Sequence, residues 1–101
     1  MPRLDDALAT LRAALPDLRR DHGVRSLAIF GSVARGDARE DSDIDILVEF
    51  EPGARVSLFT LARLQTVLED ALGRPVDVVE DHPNLRPAFR ARIERELVRV
   101  A

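Results

Sequence analysis

Residues 43–50 constrain the fold of this chain more than any other part of the sequence. Polar and apolar residues alternate along this segment, which predicts a β-strand with one buried side and one polar side. The polar side begins with two carboxylates, Asp43 and Asp45. The buried side comprises Ile44, Ile46, Val48 and Phe50.

The other periodic segments predict a small α/β fold. Leucines recur every three or four residues over positions 4–18, which predicts a helix. We expect Pro16 to interrupt this helix near residue 14, with a short continuation to about residue 22. Further elements follow at residues 26–30 (buried strand), 32–37 (helical turn), 57–73 (helix), 75–80 (strand), 89–97 (helix) and 98–100 (edge strand). This order predicts one domain over residues 1–101, with a small mixed β-sheet and helices packed on one face.

Composition narrows the possible cellular locations and reaction mechanisms of the protein. The chain has 101 residues, of which 46% are hydrophobic, yet no apolar run approaches the ~20 residues that a membrane span needs. The first residues lack the apolar stretch of a signal peptide and cysteine is absent, so we expect a cytoplasmic protein without membrane contact. All 15 basic residues are arginine, which excludes mechanisms that need lysine.

Charge is unevenly distributed along the chain. The net charge of −3 argues against a nucleic-acid binder of the basic-patch kind, so no direct nucleic-acid binding is expected. Residues 37–51 contain seven acids and one arginine, whereas residues 86–99 contain five arginines and two glutamates. The arginine-rich tail is either a solvated helix face or a contact for phosphates or a partner.

The acidic segment contains a candidate metal site. Asp43 and Asp45 project from the same side of the predicted strand, with their carboxylates ~5–7 Å apart. Oxygen-only ligands at this spacing suit Mg²⁺ or Mn²⁺ better than zinc. In the alternative interpretation both side chains point into water, where screening makes their repulsion small.

Two further features favour the metal interpretation. Gly31 and Ser32 directly follow a buried strand, where glycine allows close backbone approach and the serine and following N–H groups can bind anionic oxygens. Asp77 lies between two valines in the third strand, which is unexpected unless it faces a polar cleft, so it is the natural third ligand. A phosphate site joined to a divalent-metal site is what metal-assisted attack on a nucleoside triphosphate requires.

At these residues the sequence resembles a known superfamily. Gly31-Ser32, followed after ten residues by Asp43-Ile44-Asp45, resembles the G-S-x10-D-x-D signature of DNA polymerase β-like nucleotidyltransferases. The run of residues 30–48 resembles the minimal nucleotidyltransferases (MNT proteins), which are typically paired with HEPN-domain proteins in toxin–antitoxin systems. Residues 72–79 resemble the strand with the family's third carboxylate, so the similarity covers about residues 20–100.

The resemblance implies a polymerase β-like nucleotidyltransferase fold and a specific set of roles. Asp43 and Asp45 would hold two Mg²⁺ ions, with Mn²⁺ as a substitute, and Asp77 would complete the coordination of the catalytic ion. Gly31 and Ser32 would hold the β- and γ-phosphates of the nucleotide. Arg35 either assists them as a further nucleotide-binding residue or pins the loop to an acid, and the sequence leaves both interpretations open.

By the same resemblance, the chain would be an antitoxin with nucleotidyltransferase activity. It would move a nucleoside monophosphate from an NTP to a hydroxyl group of a HEPN-type toxin. AMP from ATP is the favoured donor reaction, and another NTP is the alternative. The alternative is a catalytically inactive binding module that neutralises its partner by occlusion. Modification of a small molecule ranks below both, because it requires additional acceptor-binding structure.

Overall fold

The computed structural model describes residues 3–101, and these residues form four helices and four strands. In chain order they are α1 (Leu4–His22), β1 (Val24–Phe30), α2 (Gly31–Arg35), β2 (Ile44–Phe50), α3 (Leu58–Leu72), β3 (Val76–Glu80), α4 (Pro87–Glu96) and β4 (Val98–Arg99). Within the described residues, none of the helices is both long and apolar enough to cross a membrane.

The strands form one mixed sheet in the order β3-β2-β1-β4. β1 pairs antiparallel with β2 on one side and with β4 on the other. β2 and β3 are parallel, because α3 connects them as a crossover helix. The predicted α/β class with a small mixed sheet is confirmed.

One side of the sheet, called the core face below, is apolar and covered by α1 and α3. The predicted alternation in β2 is confirmed, since Ile44, Ile46 and Val48 are at most 2% exposed on this face. The leucine stripe of α1 and Leu64 and Leu68 of α3 pack against it. No polar or charged residue among residues 3–101 is fully buried, so burial of apolar surface stabilises this core.

The predicted interruption of the first helix at Pro16 is wrong, because α1 continues without a break to His22. A proline inside a helix costs about 3 kcal/mol, since it removes one backbone hydrogen bond and crowds the preceding turn. Leu15 and Leu18 lie on either side of Pro16 and are at most 3% exposed. Their packing on the core face therefore offsets the local cost of the proline.

The opposite side of the sheet, called the site face below, displays Phe30, Asp45, Leu47 and Asp77. The last helix, α4, lies across part of this face. Its Ile93 is 2% exposed and lines a cavity of about 130 Å³ together with Ala28 and Leu47. The helices α1 and α3 therefore cover the core face. The helix α4 covers part of the site face and leaves its acidic end accessible.

Candidate active site

Asp45 and Asp77 are direct neighbours on the site face. The parallel pairing of β2 with β3 places Asp45 in register with Asp77, where adjacent backbones lie ~4.8 Å apart. Side chains in register on neighbouring strands project from the same face. The structure thus brings together two of the three predicted metal-binding aspartates.

Asp43 lies two positions before Asp45, at the end of the loop that enters β2. Arg74 holds this loop by donating hydrogen bonds from Nη1 to the carbonyl oxygens of Glu40 and Ser42, at 3.1 and 3.4 Å. The Ser42 hydroxyl also accepts a 2.7 Å hydrogen bond from the backbone N–H of Arg39. These contacts fix the backbone just before Asp43, which is itself exposed.

The Asp45 carboxylate lies directly beside Gly31. The φ of Gly31, 74°, lies in the left-handed region, which residues with a side chain rarely adopt. A Cβ atom built on Gly31 would overlap Oδ2 of Asp45. Both the backbone conformation and the close carboxylate therefore require glycine at this position.

The next residue, Ser32, is half-buried at the start of α2. Within the described part of the chain its hydroxyl forms no side-chain hydrogen bond, which leaves the hydroxyl available to a ligand. Of the predicted phosphate-binding pair, the structure thus places Gly31 directly beside Asp45, and Ser32 follows it at the start of α2.

The electrostatic environment of Asp45 is unfavourable for a carboxylate. Partial burial raises the pKa of Asp45 above its usual value, and the negative charges of Asp77 and Asp43 raise it further. Glu96 acts in the same direction, whereas the positive charge of Arg92 lowers the pKa. Ionised Asp45 therefore lacks sufficient positive charge around it, which is the condition that a bound cation relieves.

Sequence reasoning missed Glu96, which contacts the glycine loop directly. Its Oε1 accepts a 2.9 Å hydrogen bond from the backbone N–H of Gly31, and its Oε2 accepts one of 3.0 Å from Nη1 of Arg35. The register of the edge strand explains this position, because Val98 pairs with Ile29 and Glu96 thereby lies opposite Gly31. No periodicity or motif at residue 96 indicates this contact.

Arg35, a predicted nucleotide-binding residue, is already paired with two carboxylates. Its Nε donates to Asp37 at 3.1 Å, and its Nη1 donates to Glu96. Hydrogen bonds to Asp37 and then to Glu96 raise the pKa of the guanidinium. Of the two interpretations that the sequence leaves open, these contacts correspond to pinning of the loop.

The donors on the site face are suitable for a divalent cation, although they do not form a compact cluster. Among residues 3–101, no three His, Cys, Asp or Glu side chains lie close enough together to constitute a metal site. The available donors are carboxylate oxygens, which suit Mg²⁺ and Mn²⁺. Burial, and then the negative charges of Asp77 and Asp43, raise the pKa of Asp45. The chemistry of these donors therefore fits a hard divalent ion.

An acidic strand pair next to a glycine–serine turn defines a class of protein that acts on phosphate groups with the help of a divalent metal. Comparison with known families agrees. The sequence matches the family described as "Nucleotidyltransferase domain" over residues 11–100, and the chain belongs to this nucleotidyltransferase family.

Relatives in this family align along almost the whole chain. MntA of Thermococcus cleftensis, a protein adenylyltransferase, is 40% identical over 100 residues, which span 99% of this chain and 98% of MntA. The protein MJ0435 of Methanocaldococcus jannaschii, provisionally named a protein adenylyltransferase, is 46% identical over 89 residues, covering 88% of this chain and 91% of its own length. The resemblance noted from the motifs is thereby confirmed.

Solved structures support the same fold. One that is provisionally named a minimal nucleotidyltransferase superimposes with a TM-score of 0.75 at 43% identity, covering 96% of this chain and 95% of its own. A complex of a tri-AMPylated Shewanella oneidensis HEPN toxin with its MNT antitoxin matches with a TM-score of 0.65 at 19% identity, covering 93% and 71%. At that identity the likeness is one of fold.

Proposed function

We propose that this chain transfers AMP from ATP to a hydroxyl group on a partner protein. The single observation on which the proposal depends most is the register pair Asp45 and Asp77 beside Gly31. This arrangement offers carboxylate ligands for divalent ions next to a backbone that phosphates can approach closely.

Each residue of the site has a separate role in this proposal. Asp43 and Asp45 would hold two Mg²⁺ ions, and Asp77 would complete the coordination of the ion nearest the acceptor. When bound, Mg²⁺ supplies charge neutralisation of the triphosphate and a lower pKa of the acceptor hydroxyl. Gly31 would bring its backbone to the phosphates, and the Ser32 hydroxyl would donate a hydrogen bond to one of them.

The glycine loop is held for this task by contacts within the protein. Glu96 fixes the N–H of Gly31 and anchors Arg35, so the backbone that follows is oriented before the nucleotide arrives. Arg74 does the same for the loop that leads to Asp43. Preorganised contacts of this kind reduce the entropy that is lost when the substrate binds.

The acceptor in this proposal is a HEPN-type toxin, and the chain is its antitoxin. The relative MntA is named a protein adenylyltransferase and aligns with this chain from end to end. The solved complex with the same fold contains an AMPylated HEPN toxin beside its MNT antitoxin. Both are consistent with modification of a partner protein rather than of a small molecule.

The test is label transfer from α-labelled ATP to the HEPN-type product of the adjacent gene, with Mg²⁺ present. The wild-type chain is expected to label the partner, and Asp45→Asn to abolish labelling. Glu49→Gln is the matched control, since it removes a carboxylate from the same strand and face but leaves the aspartates intact. Absence of labelling by the wild type, with protection of cells unchanged in Asp45→Asn, would instead establish neutralisation by occlusion.

A further inference from the structure

Binding of a nucleoside triphosphate requires positive groups that are free to contact it. Lysine is absent from the chain, so arginine is the only side chain here with a permanent positive charge. Two arginines are candidates for this contact, Arg35 at the end of α2 and Arg92 on α4. These two arginines differ in the groups that they contact.

Arg35 has little capacity left for a phosphate. Its Nε and Nη2 atoms donate hydrogen bonds to Asp37, and its Nη1 atom donates one to Glu96. The Glu96 side chain is only 13% exposed, so withdrawal of Arg35 would leave a largely desolvated carboxylate without its partner. Breaking this pair therefore opposes phosphate binding by Arg35, although the arginine is 45% exposed and solvent screens part of the cost.

Arg92, by contrast, is not ion-paired with a carboxylate among residues 3–101. Within residues 3–101 it forms no salt bridge and no side-chain hydrogen bond, and it is exposed. Its contact is with an aromatic ring, since its Cζ atom lies 5.3 Å from the centroid of Phe89. A guanidinium over a ring keeps its N–H groups at the edge available to other acceptors.

The position of Arg92 relative to the aspartates is fixed by packing on both sides along α4. Phe89 packs edge-on against Phe30, with ring centroids 6.2 Å apart, and Phe30 is the register partner of Asp45. One turn after Arg92, Glu96 contacts Gly31. Arg92 therefore projects from the side of α4 that faces the site, and its charge acts on Asp45.

We propose that Arg92, and not Arg35, is the arginine that contacts the β- and γ-phosphates of the bound nucleotide. Arg35 then acts as a positioning residue that stays paired with Asp37 and Glu96. This inference depends on the proposed function insofar as ATP is the ligand, and it assigns a binding role to a helix outside the G-S-x10-D-x-D segment.

The test is calorimetric binding of ATP and of AMP to the purified chain with Mg²⁺, without any acceptor. Loss of a charged hydrogen bond in Arg92→Ala should raise the Kd for ATP about tenfold or more. The Kd for AMP, which lacks the β- and γ-phosphates, should change little. Arg92→Lys keeps the charge but loses the planar fork, so an intermediate Kd for ATP is expected.

Arg63→Ala is the matched control, because it removes an exposed arginine from α3 on the other side of the sheet. A melting curve for each variant establishes that it is folded. If wild type binds ATP and Arg92→Ala binds it as Arg63→Ala does, the Arg92 assignment is overturned and the proposed function stands. In the label-transfer assay, an Arg92→Ala variant that raises only the KM for the protein acceptor would equally overturn the assignment. A wild-type chain that does not bind ATP overturns both proposals.

Discussion

The two faces of β2 show how one strand can serve stability and chemistry separately. Ile46 is completely buried on the core face, and its neighbour Asp45 is half-buried on the site face. The core face is uniformly apolar beneath α1 and α3, whereas the site face collects carboxylates at one end. Burial of Ile46 stabilises the fold, while the ionised form of Asp45 is disfavoured by its surroundings.

This contrast teaches that the acidic end of the sheet is maintained at a cost to stability. Asp45 and Asp77 lie in register on adjacent strands, where like charges repel. Without a cation between them, this pair therefore lowers the stability of the fold. The core face can support this cost, because its packing does not involve the acidic residues. Substitutions on the two faces should therefore affect different properties.

Truncation on the core face should have the largest effect on stability. Ile46→Ala leaves a cavity at a completely buried position, so the free energy of unfolding should fall by about 2–5 kcal/mol. Urea denaturation measures this loss, and AMP transfer per folded molecule should remain close to that of wild type. A loss of less than about 0.5 kcal/mol would show that Ile46 is not part of a tightly packed core.

Asp77→Asn, on the site face, should show the opposite behaviour. Mutation of residues that only support the ligands of a metal typically lowers metal affinity or activity about 10–100-fold. Removal of a ligand itself should therefore reduce AMP transfer by more than about 100-fold. Stability should change little, because Asp77 is exposed. The control is Glu80→Gln on the same strand, and equal transfer by both variants would remove Asp77 from the site.

Gly31→Ala tests whether glycine is required beside the Asp45 carboxylate. The positive φ alone costs an alanine about 1–2 kcal/mol, and overlap with Oδ2 of Asp45 should add to this cost. Gly53→Ala is matched, because Gly53 has a φ of 88° and nothing within 4 Å of the position of the added Cβ. Urea denaturation should show a larger loss for Gly31→Ala.

A double-mutant cycle identifies the source of that difference. Removal of the carboxylate with Asp45→Ala should restore part of the stability lost in Gly31→Ala, because the overlapping atom is then absent. Additive losses in the double variant would mean that backbone strain alone requires glycine at position 31.

The smallest expected effect is the pH dependence of stability without metal. Because folding raises the pKa of Asp45, the folded chain binds this proton more tightly than the unfolded chain does. The resulting destabilisation appears as the pH rises through the usual pKa of 3.8, and it is complete above the raised value. Asp45→Asn should therefore melt at a higher temperature than wild type at pH 7 in EDTA, by on the order of a few degrees.

At pH 3 the two chains should differ less, since Asp45 is then protonated in both states. Saturating Mg²⁺ with ATP should raise the melting temperature of wild type and leave that of Asp45→Asn unchanged. A lower melting temperature for Asp45→Asn at pH 7 would contradict the electrostatic argument.

Much of the fold and of the candidate site could be predicted from local patterns. The alternation of residues 43–50 placed Ile46 and Asp45 on opposite faces correctly, and the acid between valines at Asp77 pointed to a polar cleft. Both predictions depend on the side-chain period of a strand, which is local information.

Features that depend on tertiary contacts could not be predicted. The continuity of α1 through Pro16 depends on how Leu15 and Leu18 pack in the core. The contact of Glu96 with Gly31 depends on the pairing of a two-residue edge strand with β1. The position of Arg92 depends in turn on an aromatic pair between α4 and β1. None of these has a periodic signal in the sequence.

The central claim is that Asp45 and Asp77 bind a divalent cation together. A crystal structure of the chain with Mn²⁺ and a non-hydrolysable ATP analogue tests it most directly, because the anomalous signal of manganese locates the ion. The account predicts an ion within ~2.1 Å of a carboxylate oxygen of each aspartate, with the triphosphate beside Gly31 and Ser32. An ion bound elsewhere, with the carboxylate of Asp77 directed away from it, would contradict the account.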